Sequence, residues 1–237
     1  MIIIRDENRI AKMRKRSQQA TLVGFLFLIG GFVLVFIEIQ NLILFQMLAL
    51  LAGWILSQIG IYLAHRYARD PRPDEVLDQA VRPVGRSSRL YHYVLPAPHV
   101  LLAPAGPIVF NLKYQSGDIT AYGDTWKQKG IGFRRFFGQE GLGNPARETE
   151  KMINNLAAYI REHAPEVDEV PIGALIVFTS KDIKNLDVSE SSIPAMHFSK
   201  VKGFLKQKGL GKSIPKEHYD AILAAFDAAA VGIVETE

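Results

Sequence analysis

Cysteine is missing from this 237-residue chain. That absence removes disulfides, thiolate zinc sites and cysteine nucleophiles, and it fits a reducing cytoplasm. Internal repeats and low-complexity tracts are missing too, which excludes a solenoid and gives no reason to expect a disordered scaffold. A complete phosphate-binding loop is also absent. Gly209 to Ser213 reads Gly-Leu-Gly-Lys-Ser, but GxxxxGK[ST] requires glycine where this chain has Lys206, and the segment links two expected helices instead of following a strand.

Charge is absent from two long stretches. Ala20 to Ile37 and Leu42 to Ala64 contain no Asp, Glu, Lys or Arg, and each at 1.5 Å per residue is long enough to cross roughly 30 Å of hydrocarbon. A cleaved leader has a shorter apolar region of about 7–15 residues followed by small residues, and neither feature fits here. The four-residue link Glu38-Ile39-Gln40-Asn41 holds no basic residue, so the two helices are expected to be antiparallel neighbours with Glu38 at the far membrane surface. Arg5, Arg9, Lys12, Arg14, Lys15 and Arg16 precede the first run, and Arg66, Arg69 and Arg72 follow the second. By the positive-inside rule both termini face the cytoplasm. Gly24, Gly30, Gly31, Gly53 and Gly60 offer small surfaces for close helix contact, which allow hairpins to self-associate. Gln46, Ser57 and Gln58 read as packing glue in the spans, since no ionisable residue accompanies them. The formal charge of +4 and the pI near 9.2 owe much to these flanking cations, which attract anionic lipid and are poor grounds for expecting nucleic acid.

Four regions follow: a basic cytoplasmic arm over 1–19, two transmembrane helices within 20–66 (20–37 and 42–64), a linker over 67–73 and a cytoplasmic domain over 74–237. Prolines in Arg69–Glu75 mark a hinge. From Asp74 the spacing of Val76, Leu77, Ala80, Val81 and Val84 predicts a short amphipathic helix that starts at Pro73. Arg89–Pro96, His99–Pro104 and Pro107–Tyr114 read as strands separated by turn residues. Gly117–Trp126 reads as a further strand and turn, and Ile131–Gly138 as one more extended piece. Asn144 caps a helix with Pro145 at its first position, Glu148 in its first turn, and Met152, Ile153, Leu156, Tyr159 and Ile160 on one face. Val170–Ser180 is a continuous apolar run, the pattern of a strand buried on both faces. A basic helix around Ser199–Lys208 and an alanine-rich one from Pro215 to about Ala230 complete an α/β chain.

His99–Ile119, Trp126, Gly143–Tyr159 and Val170–Ser180, in this order and spacing, resemble the nuclease-related domain (NERD) family, a branch of the PD-(D/E)XK nuclease-like folds. The resemblance covers about Asp74 to Val188, with the tail as a C-terminal helical extension. It implies a restriction-endonuclease-like mixed sheet flanked by helices, here preceded by a transmembrane α-hairpin. The family pattern runs from a helical Glu to an Asp before a Pro-x-Gly turn, then to a Glu-x-Lys on the next strand. Carried onto this chain, those positions are Glu75, Pro98, Asn111 and Lys113, so neither central carboxylate is present. The family's helix usually offers a glutamine, and that position holds Glu148. Phosphodiester hydrolysis needs a divalent cation held by carboxylate oxygens, so the leading expectation is a binding or scaffolding module without catalysis, with no cofactor and no metal site. A nuclease with a displaced Mg²⁺ site would use Glu75, His99, Asp118 and Glu148. In strand geometry Asn111 and Lys113 share a face and His99 points away from Pro98. A non-cleaving nucleic-acid binder would use Lys127, Lys129, Arg134, Arg135, Lys206, Lys208 and Lys212, joined by Lys200, Lys202 and Lys216 and by Phe133, Phe136 and Phe137 for stacking. A solvated basic face, or one held against anionic lipid, accounts for the same lysines. The lipid membrane is the expected partner, and no protein partner can be named.

Overall fold

The computed structural model describes residues 1–37, 42–82, 88–132, 140–208, 212–231, 233 and 235–236. They group into two units, one formed by Met1–Glu7, Pro73–Ile131 and Leu142–Glu237, the other by Asn8–Arg72 and Gly132–Gly141.

In the first unit, period-2 strands sort apolar side chains onto two faces of a seven-stranded sheet. Its strands are β1 (Ile2–Arg5), β2 (Arg89–His92), β3 (His99–Ala103), β4 (Gly106–Lys113), β7 (Gly173–Phe178), β9 (Ala195–His197) and β10 (Glu235–Thr236), in the order β10-β1-β2-β3-β4-β7-β9. The sheet is mixed: β4 runs antiparallel to β3 and parallel to β7. Helices α4 (Pro145–His163) and α6 (Lys216–Ala229) cover one face, where Leu156, Ile160 and Phe226 pack with Tyr91, Val100 and Val109. Helices α3 (Pro73–Val81) and α5 (Phe198–Lys208) cover the other, where Leu77, Val81, Val201 and Leu205 pack with Leu90, Leu101 and Phe110. The Tyr91 hydroxyl donates to Asp227 at 2.7 Å, and Arg89 grips the same carboxylate at 2.8 and 2.9 Å, which ties α6 to β2.

A second sheet holds β5 (Gly117–Gly123), β6 (Thr125–Lys129) and β8 (Ile183–Ser191) in the order β6-β5-β8. Its apolar face, Ile119, Ala121 and Val188, packs with Ile176 and Phe178 of β7. The β3–β4 connection turns at Pro104 and Ala105, and Ala103 pairs with Gly106. Gly106 has φ +110°, and a Cβ there would lie 2.9 Å from the Pro171 carbonyl oxygen, so glycine is needed for both conformation and closeness.

The expected α/β class, with a mixed sheet flanked by helices, is present. Strands β1, β8, β9 and β10, and most of β6, were not expected. Residues 2–5, read as part of a basic arm, form β1, because Ile3 and Ile4 alternate into the two cores and pair in parallel with β2. β8 is a mostly polar edge strand, Ile-Lys-Asn-Leu-Asp-Val-Ser-Glu-Ser, without the apolar run that marks a buried one. Most of the extended piece expected over Ile131–Gly138 lies outside the described residues, as does the link 38–41.

The second unit is a helix pair. α1 (Glu7–Val33) continues as a 3₁₀ turn over Leu34–Phe36, and α2 spans Ile43–Tyr67. Both are long and apolar enough to cross a membrane. The buried residues of α1 are Ile10, Ser17, Gly24 and Gly31, one every seventh position, which is the spacing of a left-handed helix seam. A Cβ on Gly24 would lie 2.9 Å from Ser57 N, one on Gly31 2.9 Å from Leu50, and one on Gly60 2.3 Å from the Thr21 hydroxyl. Partners fall along α2 as positions rise along α1, so the pair is antiparallel. Gly24, Gly31, Gly53 and Gly60 therefore make their contacts within one hairpin, whereas Gly30 has nothing within 4 Å.

Candidate functional site

Asn111 and Lys113 share one face of β4, as strand alternation requires, and both are buried, at 3 and 4 % exposure. Above them begins α4. Asn144 caps this helix by accepting from the Arg147 N–H at 3.1 Å, and Pro145 occupies the first turn, where its missing N–H costs nothing. The Asn111 amide donates to the Pro145 carbonyl at 3.1 Å and to the Thr149 hydroxyl at 3.0 Å, while Thr149 donates to the Pro145 carbonyl at 2.7 Å. Both acceptors facing Asn111 are oxygens, so the position suits an amide nitrogen and would set a carboxylate against a carbonyl lone pair.

Lys113 points to the same helix start. Its ammonium donates to Glu148 at 2.5 Å and to the Leu142 carbonyl at 3.3 Å. Glu148 is 40 % exposed at its side chain whereas Lys113 is enclosed, so the pair closes the end of the site against water. Gly143, at φ +65°, completes it: a Cβ there would lie 2.7 Å from Glu148 Oε1. Pro98 precedes β3 and accepts the Tyr93 N–H through its carbonyl at 2.7 Å. The β3–β4 register pairs Val100 with Val109 and Leu101 with Ile108, and extended by two residues it would set Pro98 opposite Asn111.

The four residues of the displaced site are not gathered. Glu148 lies over the α4 face of the sheet. His99 has the same strand parity as Leu101, which packs on the α3 face, and Glu75 is on α3 itself. Asp118 is in the second sheet, in register with Lys129 of β6. A hard cation needs several carboxylate oxygens. Among the described residues bonded to Asn111 and Lys113 the one carboxylate, Glu148, is already bound to an ammonium and the Asn111 amide nitrogen is engaged, so these residues do not fit a Mg²⁺ site. No group of three or more His, Asp or Glu residues among the described residues is placed to hold a metal.

The residues of the expected basic surface fall on several elements. Lys127 and Lys129 are exposed on β6, Lys200, Lys202 and Lys206 on α5, and Lys212 and Lys216 near the start of α6. Arg134, Arg135, Phe133, Phe136, Phe137 and the Lys208 side chain lie outside the described residues.

A buried polar chain on the α3 face escaped the sequence reading. Asp74, wholly enclosed, meets Arg5 Nε at 2.8 Å, and Arg5 also binds Asp78. Asp78 meets His92 Nε2 at 2.8 Å, and His92 Nδ1 lies 2.8 Å from His99 Nδ1. With the carboxylate accepting from Nε2–H, one of the two facing Nδ1 atoms donates to the other. Burial acts to raise the Asp78 carboxyl, but the hydrogen bond and charge of His92, with Arg5, outweigh it and hold the group below its ordinary range. Acidic residues at a helix start carry no sign of this, because the partners come from β1 and β2.

No curated protein and no solved structure matches the chain. Residues 88–179 match the family model of the nuclease-related domain, NERD. That match runs from the approach to β2 to the residue after β7 and contains Pro98, Asn111, Lys113 and Glu148, so the chain carries a nuclease-related domain.

Proposed function

We propose that this protein is a membrane-anchored nuclease-related domain that does not cleave phosphodiesters and serves as a binding or scaffolding module at the cytoplasmic membrane face. The observation that carries the reading is the bonding of Asn111 and Lys113. The family pattern calls for a carboxylate at position 111, and here an amide is fixed to Pro145 and Thr149. The lysine is held by Glu148 and a carbonyl. A chain built this way has turned the reactive end of the β3–β4 hairpin into a joint between sheet and helix. The apolar helix pair supports anchoring, and the lysine and arginine count on its flanks supports cytoplasmic termini.

The test uses the full chain reconstituted in lipid nanodiscs and incubated with single- and double-stranded DNA and with RNA, in Mg²⁺ or Mn²⁺. The expected result is no cleavage above that of empty discs. Cleavage that disappears in Glu75→Ala or Lys113→Ala would overturn the reading in favour of a displaced metal site.

A further inference from the structure

Among the described residues, four cations of the helix pair, Lys12, Arg14, Lys15 and Arg16, have no side-chain partner. Arg9, Lys12, Arg14, Lys15 and Arg16 are all exposed on α1, and no acidic residue occurs from Arg9 to Ile37. The seam toward α2 is fixed by Ile10, Ser17, Gly24 and Gly31. At roughly 100° per residue, Lys12, Lys15 and Arg16 fall on the far side of the helix from that seam.

The level of this group on the helix pair is also fixed. The Ser17 hydroxyl donates to the Gly60 carbonyl at 2.9 Å, so the stretch of α1 before Ser17 is level with the stretch of α2 after Gly60. There α2 has its own cation, Arg66, but this one is answered: Glu140 binds it at 2.7 and 3.3 Å, and its guanidinium lies 3.6 Å from the Tyr62 ring centre. The uncharged run begins at Ala20, roughly 6 Å along the axis from Arg16 and 12 Å from Lys12. A headgroup layer extends about 5–8 Å beyond the hydrocarbon on each side, and long basic side chains reach along the helix to meet it.

We propose that Lys12, Arg14, Lys15 and Arg16 form a collar that binds the phosphates of anionic phospholipids and gathers acidic lipid around the hairpin. This rests on the membrane anchoring proposed above. Charge complementarity selects the occupant: four unanswered cations beside an uncharged span face a surface whose anions lie at that depth.

The experiment takes the full chain in bilayers of equal parts phosphatidylcholine and phosphatidylglycerol, excises it with a polymer belt, and measures the co-purifying lipids by mass spectrometry. The expected result is an anionic-to-zwitterionic ratio at least about threefold above bulk, since each basic group near an anionic surface multiplies attraction roughly fivefold. The ratio falls in Lys12→Gln/Lys15→Gln and in Arg14→Gln/Arg16→Gln, each of which leaves three basic residues from Arg9 to Arg16 to hold orientation, and it falls in high salt. A wild-type ratio equal to bulk overturns the proposal. So does enrichment unchanged in both pairs, or enrichment removed instead by Lys200→Gln/Lys206→Gln, or loss of DNA binding in the pairs with lipid enrichment intact. Alkaline carbonate separates the two levels. Release of the wild-type chain from membranes refutes the anchor and the collar with it, whereas retention with a bulk lipid ratio refutes the collar alone.

Discussion

Asn111 shows how one side chain changes what a hairpin can do. Its amide satisfies the Pro145 carbonyl and the Thr149 hydroxyl inside a closed site. Asn111→Asp replaces a donor with a charge facing those oxygens, and should lower unfolding stability by about 2 kcal/mol or more. Denaturant unfolding of the purified full chain measures this, and an unchanged midpoint would show that the amide is not the tie between β4 and α4. Glu148→Ala takes the carboxylate from the enclosed Lys113 ammonium, which keeps the Leu142 carbonyl, and should cost about 2 kcal/mol, below the roughly 3–5 kcal/mol of a fully buried pair because the carboxylate is part-exposed. Gly143→Ala should have a similar effect by pushing on Glu148 and by placing a side chain at positive φ. A double-mutant cycle checks the common cause: losses from Gly143→Ala and Glu148→Ala that simply add would sink the shared mechanism.

Two joints between elements carry predictions of their own. Asp78 of α3 links Arg5 of β1 to His92 of β2. Its folded-state carboxyl titrates below the ordinary value of 3.8, so the stability it contributes is complete above that value and is lost as pH falls through the lower, folded value. Asp78→Asn should therefore flatten this part of the acid limb in a plot of stability against pH, and a limb of unchanged slope would contradict the assignment. The second joint is the glycine seam between α1 and α2. A Cβ on Gly53 would meet the Gly24 carbonyl oxygen at 2.8 Å, backbone that cannot swing aside. Gly53→Leu should separate the helices and lower thermal stability in detergent by about 1–3 kcal/mol, read by circular dichroism, while Gly30→Leu, with open space beside it, should change little.

At the scale of the whole molecule, the chain runs from a sheet strand into a helix pair and back into the same sheet unit, since β1 precedes α1 and α3 follows α2. By the positive-inside rule, the anchor proposed above has both termini on the cytoplasmic side of a membrane. Protease added to sealed, cytoplasm-inside vesicles should leave tags at both ends intact, and cleavage of either tag would refute the orientation. Opening the vesicles should expose both.

What the sequence by itself determined was everything written as a local period. The second uncharged run, the capped helix after Asn144, the apolar strand after Pro171 and the shared face of Asn111 and Lys113 follow from spacing along a few residues and are found where spacing puts them, whereas the first uncharged run is the later part of a helix that begins at Glu7. The structure alone decided which distant groups meet. β1 is four residues long and became a strand only because β2 lay beside it and two cores received its isoleucines. The Arg5–Asp74–Asp78–His92–His99 chain draws on four elements, and the helix pair separates the first, β1, from the other three. Glu148, one acidic residue among several on its helix, acquired its role because Gly143 leaves room for it over Lys113. Periodicity is a property of the backbone and is legible in one dimension, whereas pairing of charges and amides depends on which faces the sheet order brings together.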